Sequence, residues 1–486
     1  MRFSQLTDFP YSLKGIVAFG PQGVKILDEA RFRKECAEPL IYAAVFSPQE
    51  EVRETARWIL WEGAHELGVV SASIHDLYAA RGRDEYNSVC VPAVNIRALT
   101  YDSARALFRA AKALDAGPFI FEIAKSEIGY TFQKPAEYTT AVLAAALAEG
   151  HQGPVFVQGD HFQVAQKNYA ADPTKEVESV KTLIREALAA GFYNIDLDTS
   201  TLVDLSKSTV PEQQKLNYEV AAELTAFIRD HEPSGVTVSV GGEIGEVGGK
   251  NSTVEELEAY LDGYLAVLAK RRPNSIGISK ISVQTGTSHG GVPLPDGSVA
   301  QVALDFGVLD VLGRVSRSKY KISGTVQHGA STLPDEAFNH FRHTQAVEVH
   351  LATGFQNLVY DHPKFPAELK ERVYAWLQVN CAKERKPGKT EEQFLYSTRK
   401  KGFGPYKWET WTMEADAKAA IMAALEAKFR FLFDQLGLKD TRGLLAKHVK
   451  APRIRRPAPE KFGALLANPN VFGAQHGAEE DAPGAD

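Results

Sequence analysis

Cysteine is scarce in this chain of 486 residues. The three cysteines, Cys36, Cys90 and Cys381, lie far apart and form no CxxC pair. The sequence therefore predicts neither a disulfide framework nor a thiolate zinc site. Because free thiols are typical of a reducing compartment, we expect a cytoplasmic protein.

Long apolar runs and an excess of positive charge are missing as well. No apolar run reaches the roughly 18 residues that a membrane-spanning helix needs, and the opening MRFSQLTDFPYSLKG lacks the basic and apolar segments of a secretion signal. We therefore expect a protein that is neither exported nor inserted in a membrane. The formal net charge is −6, which argues against nucleic acid or anionic lipid as a partner, so any bound anion requires a local site.

Short β-branched runs alternate with amphipathic helical stretches from residue 89 onward. The runs that read as strands are 89–95, 118–123, 154–159, 193–197, 236–243, 275–283, 321–327 and 347–351. Eight parallel strands with helical crossovers predict an α/β fold, a closed (β/α)8 TIM barrel of about 250 residues. An open doubly wound sheet is disfavoured because no glycine fingerprint follows the first strand.

Two extensions flank the predicted barrel, which we assign to residues 89–360. Residues 1–88 form an N-terminal extension with a helix over 49–67, and residues 361–475 form a helical C-terminal extension with a helix over 413–436. The Pro-, Ala- and Gly-rich tail 476–486 lacks apolar residues, so we expect it to be disordered.

A basic loop is predicted at 398–408 within the C-terminal extension. It concentrates Arg399, Lys400, Lys401 and Lys407 in an otherwise acidic protein. Such a loop could fold over the barrel mouth, or over a partner subunit's mouth, and bind a phosphate or sulfonate through Arg399 and Lys400. The alternative is an ordinary solvated surface run.

Polar side chains collect just past the predicted strands, where barrels of this kind build their active sites. They are Asn95, Glu122, Lys125, Asp160, His161, Asp196, Asp198, Glu243, His289, His328 and His350. A single histidine at such a position is more often a hydrogen-bonding residue than a ligand. Histidines 161, 289 and 328, each flanked by glycine, together with Glu243 instead predict a site for Zn²⁺ or another divalent transition metal.

The glycines around these histidines point to an anion. Residues 286–291, GTSHGG, and the segment Gly329–Ser331 offer backbone N–H groups and a hydroxyl that can bind phosphate. A glycine-rich loop is by itself often only a turn. Next to a metal site, however, it indicates a small sugar phosphate as substrate, with Asn95 and His350 as further substrate-binding candidates.

Four separated motifs resemble those of the class II, metal-dependent fructose-bisphosphate aldolases and their ketose-bisphosphate relatives. GDH at 159–161, EIGEVGG at 243–249, SHGG at 288–291 and HGAS at 328–331 occur in the family's order, and VPAVN at 91–95 resembles its first-strand segment. The resemblance covers roughly residues 89–360 and implies a zinc-dependent lyase that forms a homodimer or higher homo-oligomer, with a monovalent cation as a further candidate ion. The implied residues are His161, His289, His328 and Glu243 for metal, Asp160 for catalysis, Gly290, Gly329 and Ser331 for phosphate, and Asp196 near a secondary metal position.

Three departures from the family pattern predict an altered substrate or an altered chemistry. Where the family has acidic residues after its double glycine, this chain has Lys250, Asn251 and Ser252. Where the family's last strand has an asparagine and a nearby acid, residues 350–354 read HLATG, and Gln158 replaces the first histidine of the aspartate-histidine motif. Glu246 and Glu127 are the remaining candidates for the second proton-transfer group.

The resemblance implies aldol cleavage of a ketose bisphosphate, such as fructose 1,6-bisphosphate, to dihydroxyacetone phosphate and an aldehyde. Asp160 would accept the proton of the C4 hydroxyl in that reaction. Two alternatives stay open. The chain could be a non-catalytic accessory subunit, or a metal-dependent sugar-phosphate epimerase or isomerase on the same fold.

Overall fold

The computed structural model describes residues 2–20, 23–245, 249–286 and 304–468. The predicted site residues Glu246, His289 and Gly290 and the predicted tail 476–486 lie outside the described residues. The chain divides into two compact units, one made of residues 1–69, 143–152 and 453–486, and the other of residues 70–142 and 153–452.

The larger unit is built on eight parallel strands that close into a ring. We label them β1 to β8, and their bounds are Val91–Asn95, Ile120–Ala124, Gly153–Gln163, Asn194–Asp198, Ser239–Glu243, Lys280–Ser282, Thr325–Gln327 and Ala346–Leu351. Each strand pairs in parallel with its neighbours, and β8 pairs with β1 to complete the circle. The predicted (β/α)8 barrel is therefore confirmed.

Strand register brings the polar rim residues to one end of the ring. Asn95 on β1 lies beside Glu122 on β2, and Ala124 on β2 lies beside Asp160 on β3. Apolar side chains fill the barrel elsewhere, including the fully buried Ala93 and Ile120. Because successive side chains of a strand face opposite ways, the same strands supply both the core and the polar floor of the rim.

Segments before the first barrel strand also belong to this unit. The strand Val69–Ala72 joins the same sheet next to β3. The helix His75–Gly82 packs Leu77 and Tyr78 into a core cluster with Val347 of β8 and Leu445. The barrel unit thus begins at residue 70, ahead of the boundary predicted at 89.

Helices surround the strands and continue into the C-terminal region. The remaining α-helices are Thr100–Ala113, Lys125–Tyr130, Pro135–Ala148, Gln166–Ala171, Pro173–Ala190, Val210–Gln213, Lys215–His231, Val254–Arg271, Phe306–Tyr320, Phe338–Phe341, Thr353–Asp361, Ala367–Asn380, Glu391–Thr398, Lys407–Trp411, Ala415–Gln435 and Arg442–His448. Short 3₁₀ turns cover Ser200–Leu202, Ala330–Thr332, Asp335–Ala337, Ala382–Glu384 and Arg399–Phe403. Local signals fix several helix starts, as where Thr253 and Glu256 form a capping box.

The smaller unit is mostly helical, as predicted for the N-terminal extension. It contains the helix Asp8–Ser12, a hairpin of strands Val17–Gly20 and Gly23–Ile26, a helical stretch made of Glu29–Arg31, the π-helical Phe32–Cys36 and Ala37–Phe46, and the helices Glu50–Glu66 and Glu460–Leu466. Its core includes Trp58, whose ring meets that of Phe462 edge-on. No helix in the described part of either unit is long and apolar enough to cross a membrane.

The prediction of a loop at 398–408 is wrong. The segment forms the 3₁₀ turn Arg399–Phe403 and the short helix Lys407–Trp411, and most of its basic residues are engaged in ion pairs. Charge composition suggested solvent exposure, but the aromatic and glycine residues between the charges, such as the buried Phe403, pack into the unit.

Candidate active site

A bulge in β3 directs two neighbouring side chains into one cavity. Consecutive residues of a regular strand face opposite sides, but the pairing of β3 with β4 shifts register between Gly159 and Phe162. His161 takes a left-handed backbone conformation with φ of 42°. Asp160 and His161 therefore both line the cavity at the barrel rim.

Three predicted metal ligands converge at this rim. His161 Nδ1 lies 3.4 Å from a Glu243 carboxylate oxygen, and His328 Nδ1 lies 3.9 Å from the other. One ligand atom from each of the three residues falls within 4.8 Å of the others. Two imidazoles and one carboxylate are a donor set that suits a divalent transition metal, so the residues present fit such an ion.

Asp198 lies two residues beyond Asp196 on β4 and orients the His161 ring. Its Oδ2 atom is 3.2 Å from His161 Nδ1 and accepts a hydrogen bond from Gln163 Nε2 at 2.6 Å. The other carboxylate oxygen accepts from the backbone N–H and the hydroxyl of Ser200. The sequence placed Asp198 at the rim without a role, and only the contact with the His161 ring assigns it one.

Asp160 lies against the same histidines and is held as a carboxylate. Its Oδ1 atom is 3.8 Å from His161 Nε2, 3.9 Å from His328 Nε2 and 3.2 Å from His350 Nδ1. Burial raises the pKa of Asp160, but the nearby imidazoles outweigh burial and hold the pKa well below its ordinary range. Asp160 is therefore ionised, and its carboxylate can accept a hydrogen bond from a substrate hydroxyl in the cavity.

His350 links Asp160 to a charged network inside the barrel. Its Nδ1 atom is 2.9 Å from a Glu122 oxygen, and its Nε2 atom is 2.7 Å from Glu348 Oε1. Burial lowers the pKa of His350, but these carboxylates outweigh it and raise the pKa well above its ordinary value. His350 was predicted to bind substrate. It lines the cavity, and it also bridges Asp160 to the buried acids.

Lys280 supplies the second positive charge of that network. Its fully buried Nζ donates to Gln158 at 2.8 Å and lies 2.9 Å from Asp196, and it also contacts Glu348. Burial raises the pKa of Glu122 to about 7 and that of Asp196 to about 6. Asp196, predicted near a secondary metal position, pairs with Lys280 and also belongs to a group of potential metal ligands with Asp160, His328 and His350. Sequence reasoning missed Lys280 and Glu348, which sit inside β6 and β8 before the rim.

The cavity at the rim has a volume of about 290 Å³. Its walls include Asn95, Arg97, Glu122, Glu127, Tyr130, Asp160, His161, His328, Gly329, Ser331, His350, Thr353 and Lys400. Asn95 donates to Glu127, and Arg97 Nε donates to the same carboxylate at 2.7 Å. Glu127, a candidate proton-transfer group, thus reaches the cavity but is engaged by Arg97.

The phosphate-loop residues of the sequence prediction also line the cavity. Gly329 has φ of 71°, a conformation that favours glycine, and precedes the 3₁₀ turn that carries Ser331. The Ser331 hydroxyl accepts a hydrogen bond from the backbone N–H of Ala352. Its own proton is therefore available for a ligand oxygen in the cavity.

Of the two basic residues predicted to bind substrate, only one lines the cavity. Lys400 lines the cavity. Arg399 does not, because its guanidinium forms a two-pronged ion pair with Asp361 at 2.7 and 2.8 Å and also donates to Asn357. The prediction that Arg399 binds the substrate phosphate is not supported by this geometry, since Asp361 and Asn357 engage its two terminal nitrogens and the residue does not line the cavity.

Comparison of the chain with known proteins identifies a family and similar solved structures. The family model for class II fructose-bisphosphate aldolases matches residues 83–432. A comparison with curated proteins finds no match. Among solved structures, the chain is similar to the fructuronate-tagaturonate epimerase of Cohnella laeviribosi, with 13% identity, a TM-score of 0.56 and 87% of this chain and 89% of that one covered. It is also similar to a fructose-bisphosphate aldolase of Campylobacter jejuni, with 17% identity, a TM-score of 0.44 and 77% and 96% covered.

The family match spans the barrel and most of the C-terminal helices. Class II aldolases are typically metal-dependent, and the converging His161, Glu243 and His328 form a cluster of potential metal ligands at the expected rim. The chain therefore belongs to the class II fructose-bisphosphate aldolase family.

Proposed function

We propose that the chain is a metal-dependent aldolase that cleaves and forms a carbon–carbon bond in an anionic ketose, of which fructose 1,6-bisphosphate is the first to test. The observation that carries the proposal is the position of Asp160. Its carboxylate lies within 4 Å of the imidazoles of two potential metal ligands, in a cavity of sugar size. Base and metal site thus face the same volume.

The chain's own residues supply the proton transfers of such a reaction. A divalent cation at His161, Glu243 and His328, with His289 as the further proposed ligand, would supply Lewis-acid polarisation of the ketose carbonyl. Asp160 accepts the proton from the C4 hydroxyl as the bond between C3 and C4 breaks, and returns it in the condensation. His350 Nδ1 lies 3.2 Å from the Asp160 carboxylate and stabilises its negative charge.

Protonation of the donor carbon needs a second group. We assign this role to Glu246, which follows the metal ligand Glu243 by three residues. Glu127 is the less suitable choice, because its two oxygens are engaged by Arg97, Asn95 and the backbone N–H of Ala124. Gln substitution of each residue in turn would tell the two assignments apart through the rate of donor-carbon deuterium exchange.

Turnover by the isolated chain is the direct test of the aldolase proposal. The zinc-loaded chain should release dihydroxyacetone phosphate from fructose 1,6-bisphosphate or from another ketose phosphate in a panel. Asp160→Asn should lower that rate by about 100-fold or more without loss of bound zinc. Zinc binding without turnover of any panel member would contradict the aldolase proposal and favour an accessory subunit.

A second candidate is epimerisation of a ketose on the same site. The contact between Asp160 and His350 favours it, because an acid and a base on one cavity wall can remove a proton from a ketose carbon and return it without breaking a carbon–carbon bond. The Cohnella protein with the similar fold is named an epimerase. Product analysis separates the two functions, since an epimerase keeps one carbon skeleton and an aldolase yields two fragments.

We propose a homodimer or higher homo-oligomer in the cytoplasm that acts on a small-molecule sugar and has no nucleic-acid or membrane partner. Light scattering coupled to size-exclusion chromatography would measure the assembly, and a monomer at micromolar concentration would contradict that part of the proposal.

A further inference from the structure

The two basic side chains on the cavity wall differ in how far nearby carboxylates neutralise their charge. Arg97 and Lys400 are the lysine and arginine side chains that line the cavity among the described residues. Arg97 is neutralised by Glu127, with two guanidinium nitrogens 2.7 Å from the same carboxylate oxygen. The remaining guanidinium nitrogen, Nη1, is also engaged, because it donates a hydrogen bond to Gln356 at 2.8 Å. Arg97 therefore offers a ligand little net charge.

Lys400 differs from its basic neighbours in forming no ion pair with an acid among the described residues. Arg399 pairs with Asp361, Lys401 with Glu384 and Lys407 with Glu137. In the described part of the chain, no carboxylate forms an ion pair with Lys400, whose ammonium lies 5.7 Å from the centre of the Tyr130 ring. Burial, followed by the charge of Arg97, lowers the pKa of Lys400. A half-buried ammonium in this setting is stabilised when an anion enters the cavity.

No further lysine or arginine can join Lys400 from the residues outside the described ranges. Residues 1, 21–22, 246–248, 287–303 and 469–486 contain neither lysine nor arginine. Among the described residues, the wall formed by Arg97, Glu127, Tyr130 and Lys400 therefore carries one positive charge without an ion-pair partner. One ammonium matches a singly charged carboxylate, whereas a phosphate ester carries close to two charges at neutral pH and is usually met by several donors.

We propose that Lys400 determines specificity by selecting a carboxylate at the end of the ketose that lies against this wall. The inference rests on the proposed function, because it names the substrate class for the same cavity. It makes the substrate a keto sugar acid, whose carboxylate Lys400 binds while the other end of the chain reaches the metal ligands and Asp160. Tyr130 and Arg97 shield that contact from water, which strengthens it.

Three sugars that differ only at C6 provide the test. Fructuronate has a carboxylate there, fructose 6-phosphate a phosphate ester and fructose a hydroxymethyl group. Calorimetric dissociation constants would be measured at pH 7 on the zinc-loaded full chain carrying Asp160→Asn, so that no ligand is consumed. A charge-assisted contact predicts that fructuronate binds at least about tenfold more tightly than fructose, and also more tightly than fructose 6-phosphate.

Substitutions at two adjacent lysines assign the preference to one side chain. Lys400→Met should remove the preference for fructuronate, and Lys400→Arg should keep most of it. Lys401→Met is the matched control, because Lys401 pairs with Glu384, and it should leave all three constants unchanged. A preference for fructose 6-phosphate, a preference that survives Lys400→Met, or no binding of any of the three sugars would overturn the inference.

A separate measurement of turnover distinguishes a failure of this inference from a failure of the proposed function. If fructuronate binds through Lys400 but no ketose is cleaved or epimerised by the unsubstituted chain, the inference stands and the catalytic proposal fails. If ketose phosphates are cleaved while Lys400→Met leaves their KM unchanged, the catalytic proposal stands and the inference fails.

Discussion

Three carboxylates contact the His161 ring, and Asp198 is the one that is neither a predicted metal ligand nor the proposed catalytic base. The Asp198 carboxylate contacts His161 Nδ1 at 3.2 Å and is itself fixed by Gln163 and Ser200. Such outer carboxylates set the orientation of a metal-binding imidazole and raise its basicity. The strength of metal binding should therefore depend on a residue that is not a ligand.

Asp198→Ala should weaken zinc binding by about 10- to 100-fold. The reason is that His161 loses the contact that fixes its ring, while the ligands themselves remain. Competition with a chelator of known affinity would measure the change. Asp204→Ala is a matched control, because Asp204 accepts the same pair of hydrogen bonds from the residue two positions later, Ser206, on the surface. Equal zinc affinity of Asp198→Ala and the parent chain would contradict the assigned role.

At the scale of elements, the bulge in β3 decides where the two central site residues point. Gly159 begins the bulge, and a Cβ atom added there would lie 2.4 Å from the ring of Phe162, which is fully buried. The ring cannot swing away, because the core surrounds it. The bulge therefore depends on the absence of a side chain at 159.

Gly159→Ala should destabilise the fold by about 1–3 kcal/mol through this overlap, and it should also weaken zinc binding because His161 shifts. Urea denaturation would give the first quantity and chelator competition the second. Gly443→Ala is the control, since nothing lies within 4 Å of the added Cβ there and alanine suits a helix. A Gly159→Ala chain with unchanged stability would mean that the strand adapts without the bulge.

The ion pair between β6 and β8 is the second element-scale feature. Lys280 and Glu348 are both fully buried; Lys280 also contacts Asp196, and Glu348 also contacts His350. Removing one partner of a buried pair leaves the other charge uncompensated, which costs about 3–5 kcal/mol. We therefore expect Lys280→Met to lower the free energy of unfolding by that amount.

A double substitution distinguishes charge from packing at this position. Lys280→Met with Glu348→Gln removes both charges and should recover part of the lost stability, because the Glu348 carboxylate no longer lacks its cation. Denaturation of the single and double variants in a thermodynamic cycle would show it. A double variant that is less stable than either single variant would indicate that hydrogen bonding, rather than charge balance, dominates.

At the scale of the whole molecule, two histidines away from the site make the fold sensitive to acid. Burial, aided by nearby arginines, lowers the pKa of His65 to about 3 and that of His75 to about 4. An unfolded chain restores the ordinary value of about 6.5. Between pH 4 and 6.5 the unfolded state therefore binds more protons, so stability rises with pH across this window and is lost as pH falls through it.

His75→Gln should reduce this acid sensitivity, because a neutral amide has no proton to gain on unfolding. Urea midpoints at pH 4.5 and pH 7 would differ less in the variant than in the parent chain. Replacement of the exposed His231 by glutamine is the control and should leave the difference unchanged. Parallel pH profiles of the His75 variant and the parent would show that His75 takes no part.

The sequence by itself determined the eight barrel strands and pointed to the potential metal ligands at the rim. Strand and helix periods are local properties, so the runs that became β1 to β8 could be found within a few residues of their ends. The short motifs around His161, Glu243 and His328 carried the site, because parallel strands of a barrel bring their carboxyl ends to one rim whatever lies between them.

Only the tertiary structure decided how those residues face one another. The bulge that turns Asp160 and His161 to the same side depends on the pairing of β3 with β4, and two strands far apart in sequence bring Lys280 to Glu348. The separation of Arg399 from Lys400 depends on Asp361, which takes one cation and leaves the other in the cavity. Each of these is a contact between distant segments, and the physical reason is that a local pattern fixes an element but not its neighbours.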